Sequence, residues 1–280
     1  MKTISPVRPS PIAGSWYPGD KTTLQKAIRG YIDQSSPSSI EGNLYGLIVP
    51  HAGYFYSGAT AGYAYRCLQG LSFDICVVLS PLHDYQPSDL LTSSHSSYTT
   101  PLGEVPIAAD LVDEIDRDLQ ASAGLSLQRI AYDSEHSLEI QLPFLQVALK
   151  DSFQLVPIMV RTLNAANLQT VARCLHKALS GKHVLIVAST DLSHFYPQTT
   201  ALKLDRVMTG RFMAFDPRGV LEAEAHQEGF ACGAGAVALA LWTTQLMGAG
   251  HVTLLHHSTS ADASGDTSRV VGYAAAAIAG

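Results

Sequence analysis

Hydrophobic and polar positions change rhythm along the chain, and the rhythm predicts alternating strands and helices. Short unbroken apolar runs, rich in β-branched residues, lie at about residues 45–49, 74–80, 154–160 and 183–189. Their length and lack of alternation fit strands buried on both faces. Further strands are expected near 89–93, 251–257 and 269–277. Between the strands, apolar positions recur at helical spacing over about 21–31, 57–69, 107–119, 165–179, 201–214, 217–226 and 233–247. A polar Ser/Pro stretch at 33–39 reads as a surface loop. No internal repeat is visible. Interleaving of this kind predicts one α/β domain over residues 1–280, with a mostly parallel or mixed central sheet flanked by helices.

Composition narrows the classes of function. Of the 280 residues, 46% are hydrophobic and 15% charged, enough apolar material for a large core and too little charge for disorder. The formal charge of −6 comes without any block of Lys or Arg, so neither nucleic acid nor an anionic membrane is an expected partner. No apolar run reaches the roughly 18 residues of a spanning helix, and the first residues lack a signal-like stretch, so a cytoplasmic protein is expected. Cys67, Cys76, Cys174 and Cys232 are scattered without a CxxC pair and are expected to be reduced. Cys76 and Cys174 read as small core residues.

Candidate chemistry collects at strand ends. Open α/β sheets place their sites where the carboxyl ends of strands run into loops. Three expected strands each deliver a histidine just beyond that end: His51 after Leu47-Ile-Val-Pro, His83 after Val77-Val-Leu-Ser-Pro-Leu, and His194 after Ser189-Thr-Asp191-Leu-Ser. If those strands are neighbours, three imidazoles share one rim, where they bind a borderline metal or shuttle protons. The bland reading is three strand-end turns. Glu135, His136 and Glu139 are expected on a helix, with the two carboxylates four residues apart on one face. They either form a solvated helix start capped by Ser134 or orient metal-binding imidazoles from behind. Cys232 precedes a small-residue run that begins a helix, whose dipole would lower the thiol pKa and favour a metal-binding thiolate; plain burial is the competing reading. His95, His176, His183, His226, His251, His256 and His257 are expected to have surface or packing roles.

The motifs occur as a set. Ala13-Gly-Ser-Trp-Tyr-Pro18, Pro50-His-Ala-Gly-Tyr-Phe-Tyr-Ser-Gly58, Ser80-Pro-Leu-His83, Asp133-Ser-Glu-His-Ser-Leu-Glu139, Ser189-Thr-Asp-Leu-Ser-His194 and Ala231-Cys-Gly233 appear in the order and spacing of Memo proteins. From about Arg8 onward the chain resembles that family, called AmmeMemoRadiSam system protein B in prokaryotes. The resemblance implies a fold similar to class III extradiol (LigB-type) dioxygenases, which use non-haem iron. It also implies His51, His83 and Cys232 as metal ligands, the cysteine replacing a glutamate of the dioxygenases, and His194 as the catalytic histidine with Asp191 beside it. Many relatives carry a second histidine where this chain has Asp84. Two histidines and one anion leave open coordination positions, as in non-haem iron oxygenases, and a thiolate also suits copper or zinc.

The expectation is therefore an iron-dependent, dioxygenase-like oxidoreductase. His194 would be its acid/base group, Asp191 would fix that imidazole's tautomer, and Glu135, His136 and Glu139 would tune the pocket. The alternatives are a non-catalytic metal-sensing or peptide-binding protein, and a metal-free hydrolase with Cys232 as nucleophile and His194 as base. A small-molecule or peptide ligand is expected, and the family name implies AMMECR-type and radical-SAM proteins as partners.

Overall fold

A computed structural model describes residues 4–36 and 40–280; residues 37–39, part of the expected Ser/Pro loop, lie outside the described residues. The order of elements is β1 (Val7–Arg8), α1 (Lys21–Gln34), β2 (Leu44–Val49), α2 (Tyr54–Arg66), β3 (Ile75–Ser80), β4 (Leu90–Ser93), β5 (Ser97–Thr100), β6 (Gly103–Pro106), α3 (Ala109–Ala123) and β7 (Gln128–Ile130). There follow α4 (Leu142–Ala148), β8 (Gln154–Val160), α5 (Ala165–Leu179), β9 (Val184–Ser189), β10 (His194–Tyr196), α6 (Gln198–Met213), α7 (Pro217–Ala225), α8 (Ala234–Met247), β11 (His251–Thr259), α9 (Ala261–Ser264) and β12 (Val270–Ala279).

The architecture is a mixed α/β domain around one nine-stranded sheet. Its middle runs β2-β9-β3-β8, with each neighbouring pair parallel. β4 joins β8 antiparallel, and β12 joins β2 antiparallel and carries β11 and β10. Every residue of β3 and β9 is buried, which is why their sequences are continuous apolar runs. Helices pack in two groups, α1 with α2 and α4, and α3 with α5 and α8 with α5 and α7. In α1 the buried residues Leu24, Ile28 and Ile32 recur every fourth position, and the Asp20 carboxylate caps the helix by accepting the Thr23 N–H. A second sheet, β1-β5-β6, is small and packs against β8 of the main one through β6.

Most long elements match the sequence pattern, and the differences have local causes. The 33–39 loop begins later than expected, because α1 continues through Gln34. β1, β5, β6, β7 and β10 are at most four residues long, too short for a periodicity to register. The expected helix around Glu135 is a loop as far as Leu138; one 3₁₀ turn at Glu139–Gln141 then leads into α4. Ser134 caps no helix, and its hydroxyl donates to Asp84 Oδ2 at 2.5 Å. Among the described residues, no helix is long and apolar enough to cross a membrane.

Candidate metal centre

Topology assembles the site before any side chain is considered. β2, β9 and β3 are adjacent and parallel, so the loops after Val49, Ser189 and Ser80 leave the sheet on the same rim. His51, Asp191 and His83 lie in those loops, and the 133–141 segment packs beside them.

His51 is 2% exposed, and its surroundings fix its tautomer. Ser189 Oγ donates its single proton to Ser137 O at 2.6 Å and accepts from Gln141 Nε2 at 2.8 Å. With that proton spent, the contact of 3.0 Å between Ser189 Oγ and His51 Nδ1 requires Nδ1–H to be the donor. Gln141 is anchored in turn by Tyr65 and Pro50. The Nε2 lone pair of His51 therefore faces the site. Burial, reinforced by the nearby His136 and His83, holds His51 well below the usual imidazole range, so the ring is neutral.

Glu135 organises the other two imidazoles. Its carboxylate accepts the backbone N–H groups of His83 (2.6 Å), His136 (2.9 Å) and Ser137 (2.8 Å). His83 Nδ1 lies 3.0 Å from Glu135 Oε1, and His136 Nδ1 lies 3.4 Å from the same oxygen. Burial opposes ionisation of Glu135, yet the bond and charge of His83 together with the backbone N–H groups outweigh it and hold the carboxyl far below its ordinary value. Glu135 in return raises His83, while burial lowers His136 to about 4. With Nδ1 turned to the carboxylate, Nε2 of His83 is the nitrogen left for a ligand. Ring nitrogens of His51, His83 and His136 lie within 4.8 Å of one another. The His83 and His136 rings stack at 4.7 Å, and His51 stands edge-on to both at 5.4 Å.

Cys232, expected as the third ligand, touches His51 but is not one of the three residues whose donor atoms converge, a place that His136 takes instead. Its sulfur is 3.1 Å from His51 Nε2 and accepts the Asp191 N–H at 3.2 Å. Gly233 makes this approach feasible, since a Cβ there would stand 2.3 Å from Ser189 O. The expected lowering of the thiol pKa does not occur in the metal-free protein: burial, with the charge of Asp191, pushes Cys232 up. Cys232 lies ahead of α8, whose first residue is Ala234, and the dipole of the helix is outweighed. A cation–sulfur bond of about 2.3 Å and a cation–nitrogen bond of about 2.1 Å span roughly 3.6 Å across a tetrahedral centre. The observed 3.1 Å spacing is that of an S–H···N hydrogen bond, about 0.5 Å shorter than that span, so the two groups would part slightly to share an ion.

The remaining expected site residues divide. Asp191 Oδ1 accepts the His51 N–H at 2.7 Å, and burial raises its carboxyl to about 7 against the pull of the His51 and Ala52 N–H groups. No hydrogen bond joins Asp191 to His194, so the role expected for it, fixing the His194 tautomer, is replaced by holding the His51 loop. His194 starts β10, partly buried, and burial lowers its pKa. Glu139 reaches no imidazole. It is 0% exposed and takes the Arg8 guanidinium at 2.6 Å, the Tyr17 hydroxyl at 2.7 Å and the Ser10 hydroxyl. The reason is the missing helix: without it, Glu135 and Glu139 no longer share a face.

His136, expected behind the metal-binding imidazoles, is instead one of the three residues whose ring nitrogens converge, and its ring packs on Trp16 with centroids 4.1 Å apart. Trp16 lies in the Ala13–Pro18 motif, the one sequence signal for it. Ser189 opens the Ser189–His194 motif, whereas Arg8 and Gln141 carry no signal of their own. A Cys232–His194 hydrolase pair finds no support, because the sulfur's hydrogen-bond partners are His51, Thr190 and Asp191. Other histidines are structural: His256 stacks on Tyr63 at 4.2 Å, His257 pairs with buried Asp205, and His95 Nδ1 donates to Ser5 O.

The family profile described as Memo-like protein matches residues 8–277. The chain belongs to the Memo-like family. A MEMO1 family protein of Nitrosopumilus maritimus is 31% identical over 273 residues, covering 96% of this chain and 98% of the relative. One from Ignicoccus hospitalis is 32% identical over 281 residues, with 96% and 97% covered. A crystal structure of an uncharacterized protein of Escherichia coli K12 superposes with a TM-score of 0.55 over 84% of this Memo-like chain and 99% of its own, at 15% identity. That neighbour shares the fold.

Proposed function

We propose that this Memo-like protein is a metal-dependent oxidoreductase whose ion, iron before copper or zinc, is held by His51, His83 and Cys232. The observation that carries the reading is the preset protonation of the donors. His51 is locked as the Nδ1–H tautomer by Ser189, His83 is turned by Glu135, and the Cys232 sulfur rests on the His51 lone pair. Side chains held in this way lose little freedom on binding, and their outer partners raise ligand basicity. Two imidazoles and a thiolate leave coordination positions open and suit a redox metal. When bound, such an ion supplies Lewis-acid and one-electron chemistry.

The chain's own residues do the rest. Cys232 gives up its proton on binding. Asp191 holds the His51 loop, and Trp16 covers His136 against water. His194, partly buried and with its pKa lowered by burial, would give or take a proton at a bound substrate. His136 is a further imidazole donor, and this is where the reading departs from a strict set of two histidines and one cysteine.

Elemental analysis of tag-free protein purified without oxygen tests the reading. Close to one ion per chain is expected, with severe loss in His51→Ala and Cys232→Ser and partial loss in His136→Gln. Full occupancy in Cys232→Ser would remove the thiolate from the centre and leave three imidazoles. Oxygen uptake by iron-loaded protein with a panel of catechols then tests turnover; silence across the panel favours a binding or sensing role. The cytoplasmic setting inferred from four free cysteines is part of the same proposal.

A further inference from the structure

Beside the imidazole cluster lies an open cleft of about 530 Å³, within the ~300–1,000 Å³ range of small-molecule sites. Three of its lining residues tie it to the centre: Ala52 follows His51, Phe195 follows His194, and Trp16 is the ring stacked on His136. Its walls carry four aromatic rings, those of Trp16, Tyr56, Phe195 and Tyr273. Trp16, Tyr56 and Phe195 are 36%, 44% and 61% exposed, an arrangement of apolar rings that favours a flat apolar partner.

Phe195 is held there at a cost. Its φ of 64° lies in the left-handed region, where a bulky side chain is strained. The strain comes from a register shift in β10, which pairs His194 with Val271 and Tyr196 with Val270 and leaves Phe195 as the extra residue. Such bulges re-aim side chains next to sites. Arg269 is the one basic residue of the lining, and its guanidinium sits 5.3 Å from the Phe195 ring centroid. Among the described residues it forms no ion pair. Asp266, the one acid of the lining, is occupied instead by the backbone N–H and hydroxyl of Ser268.

We propose that this cleft binds a small aromatic carboxylate. Its ring lies against Trp16, Tyr56 and Phe195, its carboxylate meets the planar fork of Arg269, and its far end points to the rim that carries His51 and His194. Asp266 makes a monoanion a better occupant than a doubly charged phosphate ester. The placing of the reacting end rests on the metal-centre reading; the binding of the ligand does not.

Calorimetry on metal-free and metal-loaded protein, with metal content measured on the same preparations, separates the two. The probes are 4-hydroxyphenylacetate, its neutral alcohol analogue 2-(4-hydroxyphenyl)ethanol, and phenyl phosphate. The carboxylate is expected to bind at least tenfold more tightly than the alcohol, and Arg269→Gln to weaken the carboxylate about tenfold while leaving the alcohol unchanged. Phe195→Gly is expected to weaken both and, by relieving the left-handed strain, to leave the fold at least as stable. Equal affinity for carboxylate and alcohol, an unchanged Arg269→Gln, or no heat from either probe would overturn the proposal, and tighter binding of phenyl phosphate would overturn the choice of a carboxylate. Carboxylate binding by a protein that takes up no metal would uphold the cleft and reject the centre.

Discussion

Arg8→Met removes the cation that holds the segment behind the site. The guanidinium is 1% exposed and serves Glu139 Oε2 at 2.6 Å, Asp133 Oδ1 at 2.7 Å and Glu135 O at 2.8 Å, with its face 4.7 Å from the Tyr98 ring centroid. Methionine fills much of the volume and none of the charge, so Glu139, itself 0% exposed, is left without its counter-ion. Breaking a buried pair from one side costs about 3–5 kcal/mol. In a chain of this size that lowers Tm by roughly 6 °C or more. Burial already raises the Glu139 carboxyl, although Ser10, Arg8 and Tyr17 pull it down. Without Arg8 it rises further.

The sign of the pH dependence follows. A carboxyl with a raised folded-state pKa binds more protons folded than unfolded, so stability falls as pH climbs above the ordinary glutamate range. The gap between native protein and Arg8→Met should therefore be widest near pH 8 and narrow towards pH 5, where Glu139 takes up a proton. Arg8→Met combined with Glu139→Gln should recover part of the loss at pH 8 and flatten the profile. Urea denaturation of the native protein, both single variants and the double variant across that range reads the effect directly. A cost below about 1 kcal/mol at pH 8 would contradict the buried-pair assignment. A gap that fails to narrow with acid would refute the role given to Glu139.

Three other outcomes are expected. Glu135→Gln should lower metal affinity about 10- to 100-fold in a chelator competition, because an amide cannot serve the His83 and His136 N–H groups as a carboxylate does; unchanged affinity would strip Glu135 of that function. Metal affinity should fall as pH falls from 8 to 6, since the raised Cys232 thiol and the raised His83 imidazole both release protons on binding, and a flat competition curve would exclude them as ligands. Gly233→Ala should lower both Tm and metal content, as the new Cβ would stand 2.3 Å from Ser189 O and move Cys232 off His51; a native-like metal content would show that the loop relaxes freely.

The parts of this molecule that were legible in the sequence are those set by short-range pattern. β3 and β9 announce themselves because strands buried on both faces must be apolar throughout, and parallel neighbours with right-handed crossovers must bring their carboxyl ends to one rim. The positions of His51, His83 and Asp191 follow from that alone. What each does there does not. The tautomer of His51 depends on Ser189, 138 residues away, and on a glutamine 48 residues before that serine. Glu139 turns from the imidazoles to an arginine 131 residues earlier, because a strand of two residues, invisible to any periodicity, carries Arg8 into the core. Asp191 follows the same logic, as its carboxylate answers a backbone N–H 140 residues distant. Candidate ligands such as His51 and His83 can be read where a strand ends, whereas their protonation is decided by hydrogen-bond partners that only the folded chain brings together. Because each preset donor here takes its orientation from a different distant segment, loosening any one of those segments should weaken the centre without removing a ligand.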